Sequence, residues 1–152
     1  MDRSLEIRGA GAAEFDAAIR LLRQAGLPVE DLTAEHLDEF LVAVIGERVA
    51  GIVGLEQTDG IGLLRSLVVD PALRSAGLGR VLVAALESKA RGQGVTELWL
   101  LTIDADAWFE QLGYAVARRD AAPDAIRRSE EFATLCPGDA VLMRKELRAR
   151  SR

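Results

Sequence analysis

A glycine loop that follows an apolar strand constrains this chain more than any other feature. The strand-like run 63–69 ends in Asp70-Pro71, and an Arg-x-x-Gly-x-Gly segment from Arg74 to Gly79 follows it. An apolar-periodic helix then begins at about Gly79. Such a loop turns backbone N–H groups toward one point at the positive end of a helix, which suits a phosphate group. The pattern predicts a phosphate-binding loop, although a bare turn before a core helix would have the same glycines.

Two better-known phosphate motifs are excluded. The P-loop requires Gly-Lys-Ser/Thr, whereas Gly79 is followed by Arg80 and Val81. The dinucleotide fingerprint requires three glycines in Gly-x-Gly-x-x-Gly order early in a βαβ unit, and this segment has only Gly77 and Gly79.

Length and composition favour one globular domain in a reducing compartment. The chain has 152 residues, is 49% hydrophobic and carries a net charge of −5. We expect a single domain over residues 1–147 and a disordered tail over 148–152. The acidic balance argues against a nucleic-acid partner, and no apolar run is long enough to predict a membrane contact. One cysteine and one histidine, Cys136 and His36, predict no internal disulfide, no metal site and a cytoplasmic location.

The order of hydrophobic patterns predicts an α/β fold with a mixed sheet. An antiparallel meander precedes the glycine loop, and the strand after the loop helix should run parallel to the strand before it, through a right-handed crossover. This mixture excludes an all-parallel doubly wound fold. The predicted strands are 5–8, 40–45, 49–56, 61–69, 97–102, 114–119 and 140–147. The predicted helices are 12–24, one from Thr33, one from about Gly79, one capped by Asp104 or Asp106 and ending at Leu112, and an insertion from Pro123 to about Leu135.

Two motifs in the correct order resemble the Gcn5-related N-acetyltransferases over almost the whole chain. The glycine loop after Val-Val-Asp-Pro is similar to the acetyl-coenzyme A loop of that family. The run from Ala105 to Tyr114, with Trp108-Phe109 and Leu112-Gly113-Tyr114, is similar to the family's Ala-x-x-Phe-Tyr-x-x-x-Gly-Phe passage. The resemblance implies a central mixed sheet, splayed between the fourth and fifth strands and flanked by helices.

The resemblance also implies how acetyl-coenzyme A, the expected cosubstrate, would bind. The pantetheine arm would pair with the backbone at the end of the fourth strand, and the pyrophosphate would lie on the N–H groups of the loop. Phe109 would pack beside the pantetheine end. The cofactor-binding residues implied in this way are Leu67, Val68, Val69, Arg74, Ser75, Ala76, Gly77, Leu78, Gly79, Arg80, Thr102 and Phe109. Arg74 and Arg80 could instead be solvated surface charges.

The catalytic residues are less well marked. Glu56, near the end of the third strand, is the candidate base, acting through water, and could equally be a surface carboxylate beside a hairpin. Ser66 and Thr102 could orient that water or be ordinary strand hydroxyls. The family often has a tyrosine that protonates the leaving thiolate, and counting back from Gly113 puts Phe109 there instead. Phe109 has no proton to give, so the thiolate would take its proton from water.

A narrower resemblance concerns the acceptor. The segments 100–102, 122–127 and 132–137 look like the N-acetyltransferases encoded in arsenic-resistance operons, and the helical insertion more distantly resembles the acetyltransferase domain of N-acetylglutamate synthase. Both imply a small amino-acid-like amine acceptor. Guanidinium groups suit a carboxylate, phosphinate or arsenical oxyanion. The candidate acceptor-binding residues are Arg65, Arg127, Arg128 and Cys136, although each arginine could be solvent-facing and Cys136 could fill core.

The leading hypothesis is a small-molecule N-acetyltransferase, monomeric or homodimeric, with a glutamate analogue or an amino-acid arsenical or phosphinate as acceptor. Acetylation of protein N-termini or lysines is the second hypothesis. A coenzyme A-binding regulatory domain without turnover is the third, and the missing phenol at Phe109 favours it.

Overall fold

The computed structural model describes residues 5–26, 39–129 and 140–147, without the side chains of residues 74–76. The predicted second helix from Thr33, with His36, lies outside these residues, as do Cys136 and the tail 148–152. The strands are β1 Leu5–Gly9, β2 Phe40–Ile45, β3 Arg48–Thr58, β4 Ile61–Val69, β5 Glu97–Thr102, β6 Ala115–Ala117 and β7 Val141–Glu146; the helices are α1 Ala12–Gln24, α2 Leu78–Gly92, α3 Asp106–Gln111 and α4 Asp124–Arg127, with 3-10 turns at Pro71–Ala76 and Arg119–Ala121.

The strands form one mixed sheet in the order β1-β2-β3-β4-β5-β7-β6. β4 and β5 are parallel, as predicted, with Ile61 opposite Glu97 and Leu63 opposite Trp99. β7 pairs antiparallel with both β5 and β6. The mixed sheet with helices confirms the predicted α/β class. Within the described residues, the β4–β5 register stops at Leu63 and Trp99, although both strands continue beyond it.

The turn between β3 and β4 follows from its sequence. Asp59 and Gly60 both have positive φ, 51° and 83°. Two consecutive residues in this region make the tight turn whose twist matches antiparallel strands, and Asp-Gly is a preferred pair for it. The predicted hairpin is therefore confirmed.

The structure divides into two compact units. The first comprises residues 1–55 and 66–86. In it, α1 places Ala18, Leu21 and Leu22 in a buried cluster with β2 and β3 residues such as Val42 and Ile52. Burial of each large aliphatic side chain contributes roughly 1.5–3 kcal/mol.

Gly51 shows how closely helix α2 approaches strand β3 in this unit. A Cβ atom added at Gly51 would lie 2.8 Å from Leu82 Cδ1 and 3.1 Å from the carbonyl oxygen of Val68. A side chain there would push α2 away from the sheet, so this approach requires glycine.

The second unit comprises residues 56–65 and 87–152. Its buried cluster joins Leu63, Trp99, Leu101, Ile126 and Leu142. The indole N–H of Trp99 donates to Glu97 Oε1 at 3.0 Å, so the buried ring leaves no polar atom without a partner. The expectation of one domain over residues 1–147 stays a prediction.

Most other bounds differ by one or two residues, and three predicted elements differ more. The strand predicted over 114–119 is shorter, because a 3-10 turn already begins at Arg119. α3 is preceded by Ala105 rather than capped by Asp104 or Asp106; instead, Thr102 Oγ1 accepts the N–H of Ala105 at 3.1 Å. Of the helical insertion predicted from Pro123, the described residues contain the single turn α4, and residues 130–139 lie outside them.

Candidate functional site

Asp70 fixes the start of the glycine loop in the first unit. Its N–H donates to the carbonyl oxygen of Ala50 at 2.8 Å, and its Oδ1 accepts the N–H of Ala72 at 3.0 Å. Oδ2 forms an ion pair with Arg48. The N–H of Ala72 and then the Arg48 guanidinium lower the pKa of the Asp70 carboxyl. The residue thus remains charged and caps the turn that leads into the loop.

Gly77 makes the turn from that 3-10 segment into α2. Its φ is 76°, a left-handed conformation that glycine adopts without steric cost, and a Cβ added there would meet nothing within 4 Å. α2 begins at Leu78, and Val81 donates the first helical hydrogen bond to Gly77 O. The first N–H groups of a helix have no partner within it, so they are available to an anion.

The other predicted cofactor residues divide between buried and open positions. Val68 and Leu78 have buried side chains, so only their backbones could contact a ligand. Leu67, Val69 and Gly79 are half-buried, and Gly77 and Arg80 are exposed. The side chains of Arg74, Ser75 and Ala76 lie outside the described part of the chain.

Ser66 is the one residue inside a described strand that combines a positive φ with burial. Its φ is 60°, and it is 6% exposed. A left-handed non-glycine residue in a strand costs of order 1–3 kcal/mol and commonly marks a functional position. Whether Ser66 takes part in catalysis stays a prediction.

The candidate base and a candidate acceptor arginine contact each other in the second unit. Arg65 Nη1 lies 2.5 Å from Glu56 Oε2, and the side chains are 2% and 30% exposed, respectively. Sequence patterns placed the two residues separately and did not predict this pair. The buried guanidinium holds the carboxylate of Glu56 in one position at the end of β3. It also means that the charge of Arg65 is already balanced when an acceptor arrives.

Phe109, on α3, packs between the rings of Trp108 on the same helix and Tyr114 beyond its end. It is 6% exposed, its centroid lies 4.9 Å from that of Trp108 and 5.6 Å from that of Tyr114, and both contacts are edge-to-face. Thr102 is the residue whose hydroxyl accepts the N–H of Ala105 at the start of this helix. That hydrogen bond gives Thr102 a structural role in addition to its predicted one.

Tyr114 is not placed to donate a proton to a leaving group. Its O–H donates to Glu87 Oε2 at 2.8 Å, and the residue is 3% exposed. Burial and the neighbouring Glu87 carboxylate raise the pKa of this phenol far above its usual range. The hydrogen bond to Glu87 thus occupies the Tyr114 hydroxyl proton.

The two arginines after the 3-10 turn are exposed. Arg127 donates to the carbonyl oxygen of Asp120 at 2.8 Å, and Arg128 donates to that of Asp124 at 3.4 Å. Both guanidinium groups keep further donors, since each has five. Cys136 lies outside the described residues.

Sequence patterns missed Glu87 and Lys145. Both lie in the second unit, where Lys145 Nζ is 3.0 Å from Glu87 Oε2. The sequence did offer a signal for Glu87, which follows Leu86 on the apolar side of the helix predicted from about Gly79. A carboxylate buried there requires a partner. The identity of that partner had no sequence signal.

The described residues contain no group of three or more His, Cys, Asp or Glu that could hold a metal ion. None of the described helices has the length and apolar character of a membrane span.

These features agree with a match to a known protein family. The model of the Acetyltransferase (GNAT) family matches residues 12–114, which is more than half of the chain. The chain belongs to this family. The match includes the glycine loop, α3 and the passage to Tyr114.

Similar proteins include amino-acid acetyltransferases. The amino-acid acetyltransferase of Neisseria meningitidis serogroup A is 28% identical over 118 residues, which are 74% of this chain and 27% of that protein. An uncharacterized N-acetyltransferase of Chlorobaculum tepidum is 32% identical over 104 residues, 68% of this chain and 64% of that protein. This chain therefore spans about a quarter of the length of the Neisseria relative.

Solved structures share the fold. N-acetylglutamate synthase from Neisseria gonorrhoeae, complexed with coenzyme A and N-acetyl-glutamate, superposes with a TM-score of 0.85 at 22% identity, covering 97% of this chain and 36% of that one. At this identity the likeness establishes the fold, and the ligands are properties of that protein.

Proposed function

We propose that this protein transfers the acetyl group of acetyl-coenzyme A to the α-amine of a small amino-acid-like acceptor. The observation that carries the proposal is the loop in the first unit, where Asp70 caps the 3-10 turn after β4 and Gly77 turns the backbone into α2. This loop stands in a chain of the GNAT family, whose model covers it.

The loop fits the pyrophosphate of coenzyme A. An exposed left-handed glycine and the first N–H groups of α2 offer backbone donors, and Gly77 itself has no side chain. Arg80 at the first turn of α2 could add positive charge, and Arg74 is proposed for the same role. The backbone of Leu67, Val68 and Val69 is proposed to pair with the pantetheine arm.

The proposed reaction is a direct attack. The neutral amine nitrogen attacks the thioester carbonyl carbon, the new C–N bond forms and the C–S bond breaks, so that the thiolate leaves. An α-amine has a pKa of about 8, so it needs little help from a base at neutral pH. Glu56 would accept the amine proton through a water molecule, with Ser66 or Thr102 orienting that water. The thiolate would take a proton from solvent, because Phe109 has none to give.

We further propose an acceptor with a second acidic group, either a glutamate-like amino acid or its phosphinic or arsinic analogue. The relatives named as amino-acid acetyltransferases and the neighbour bound to N-acetyl-glutamate support this class. Arg127 and Arg128 offer exposed guanidinium groups for the acidic end. Arg65 could contribute only by sharing its donors with Glu56, and Cys136 remains a proposed contact. A role in arsenic resistance follows only if arsenical amino acids are acetylated.

A thiol-release assay with acetyl-coenzyme A and a panel of amines tests the function. The panel should contain glutamate, its phosphinic and arsinic analogues, neutral amino acids, polyamines and peptides. Turnover of acidic amino acids supports the proposal. Turnover of peptides alone would assign protein acetylation, and tight binding of coenzyme A without turnover would assign a regulatory domain. The proposed monomer or homodimer and the cytoplasmic location require separate measurements, by sedimentation and by cell fractionation.

A further inference from the structure

A partly buried ionic cluster in the second unit has no role in the reaction described above. Lys145 Nζ lies 3.2 Å and 3.0 Å from the two carboxylate oxygens of Glu87, and Tyr114 Oη donates to the same carboxylate at 2.8 Å. Arg91 Nη2 approaches Glu87 Oε1 at 4.0 Å. Glu87 is 7% exposed. Three elements are joined here: α2, the segment after α3, and β7.

The same cluster holds the C-terminal end of α3. Lys145 Nζ donates to the carbonyl oxygen of Leu112 at 2.8 Å, and the N–H of Tyr114 donates to Phe109 O at 3.1 Å. Lys145 Nζ also lies 5.4 Å from the centre of the Tyr114 ring, which in turn packs against Phe109. α3 has six residues, too few to keep its orientation by its own hydrogen bonds. It is held by Thr102 at one end and by Lys145 at the other.

If packing were the cluster's only role, an apolar side chain of similar size would fill this space at a lower cost in free energy. Burying charges costs free energy that an apolar group of similar size would not, and such replacements are often neutral or stabilising. Directional hydrogen bonds instead fix one orientation of the groups they join. The group at the end of this chain of contacts is the Phe109 ring.

We propose that Lys145, with Glu87 and Tyr114, is a positioning residue that sets the orientation of α3 and of the Phe109 ring for binding acetyl-coenzyme A. The inference rests on the proposed function, in which Phe109 packs beside the pantetheine end. In this proposal neither the cosubstrate nor the acceptor contacts the cluster. It acts through α3.

The test compares two substitutions on β7. Lys145→Met removes the donor to Leu112 O and the ion pair with Glu87, while Leu142→Val trims a buried side chain in the separate apolar cluster of the same unit. Both should lower the melting temperature. Only Lys145→Met should raise the KM for acetyl-coenzyme A and its dissociation constant by calorimetry, on the order of tenfold, as for residues coupled in one network. Lys145→Arg, which keeps the charge and donors, should recover part of the affinity.

Two further measurements separate positioning from simple destabilisation. In a Phe109→Leu background, Lys145→Met should change the KM little, because the ring through which it acts is gone. In a Trp99→Phe background, Trp108 is the remaining tryptophan, and its emission should shift with Lys145→Met but not with Leu142→Val. Trp108 reports on α3 because it packs against Phe109.

The possible failures are distinguishable. If wild-type protein does not bind coenzyme A but the Trp108 emission still shifts, the proposed function is wrong and α3 positioning has no cofactor role. If wild-type protein binds coenzyme A and Lys145→Met binds it equally well, the positioning inference is wrong while the proposed function stands. Equal loss of affinity in Lys145→Met and Leu142→Val would also reject the inference.

Discussion

The glycine loop and the ionic cluster around Glu87 are built in opposite ways. In the loop, Asp70 accepts from Ala72, two residues away, and Gly77 turns the chain by its own φ. In the cluster, Glu87 meets Tyr114 across 27 residues and Lys145 across 58. The turn of the loop is made by neighbours in sequence, with Ala50 and Arg48 of β3 anchoring Asp70, whereas every partner of Glu87 in the cluster except Arg91 is distant in sequence.

Substitutions in the two regions should therefore have different effects. A change at Gly77 or Gly79 should act locally, on phosphate binding, because the left-handed turn at Gly77 and the start of α2 are made by adjacent residues. A change in the cluster or in the Glu56–Arg65 pair removes one side of a contact between separate elements. The partner then remains in place with less of its charge satisfied, so effects on stability and on activity should appear together.

Glu56→Gln is expected to have the largest effect on turnover. If Glu56 accepts the amine proton through water, turnover should fall by about 100-fold, the lower end of the effect of a general base. The acidic limb of the pH–rate profile should flatten, while the KM for acetyl-coenzyme A should hardly change. If Glu56→Gln has wild-type rates and an unaltered pH–rate profile, Glu56 is not the base but a surface carboxylate.

The structure supplies matched variants for this prediction. Glu56→Gln keeps an oxygen that can accept from Arg65, whereas Glu56→Ala removes it and should lower the free energy of unfolding by about 2 kcal/mol. Glu47→Gln, at an exposed carboxylate in the β2–β3 turn, serves as a control that should change neither quantity.

Gly79→Val tests the loop. A branched side chain at the second residue of α2 would stand where the phosphates approach, so acetyl-coenzyme A should bind at least about tenfold more weakly, or ~1.4 kcal/mol. Gly92→Ala, at the far end of the same helix, meets nothing within 4 Å and should leave affinity unchanged. Calorimetry measures the affinity of both variants for acetyl-coenzyme A. If Gly79→Val binds it as tightly as wild type does, the loop does not bind the phosphates.

The features that could be predicted from sequence are those determined by neighbouring residues. The bounds of β2, β4 and β5 are those predicted, because apolar runs between turn residues determine them locally. The parallel β4–β5 pair followed from the handedness of a strand–helix–strand crossover. The positions of Gly77 and Asp70 in the loop likewise follow from local residue preferences.

The features that sequence did not reveal depend on contacts across the fold. The Glu56–Arg65 pair joins neighbouring strands, and its residues were assigned separate roles because charge alone does not identify a partner. The left-handed φ of Ser66 could not be predicted from its residue type, because serine rarely adopts this conformation. The start of α3 was misassigned to an aspartate cap, since Thr102 supplies the hydrogen bond from outside the helix.

The acceptor arginines should give a moderate effect. Replacing Arg127 or Arg128 by Ala should raise the acceptor KM by about tenfold or less with little change in kcat, because such a contact is made in the ground state and the transition state alike. Arg65→Ala should also raise it if Arg65 shares its donors. Arg118→Ala is the control, since that exposed arginine pairs with Asp120. If none of the three shifts acceptor binding, or if only cationic polyamines and peptides are acetylated, the acidic-acceptor assignment is wrong.

The smallest expected effect concerns the charge of Asp70 and its dependence on pH. The Ala72 N–H and Arg48 lower the pKa of this carboxyl in the folded protein, so the charged form stabilises the fold above the unfolded value of about 3.9. That contribution should be lost as the pH falls through the lower, folded value.

Asp70→Asn keeps an oxygen for the Ala72 N–H and removes only the charge. Wild type should therefore be slightly more stable than Asp70→Asn near pH 7, and the difference should disappear in acid when urea unfolding is measured at both pH values. A difference that stays constant into acid would mean that the side chain acts through its shape rather than its charge, and the loop would then depend on Gly77 and the backbone alone.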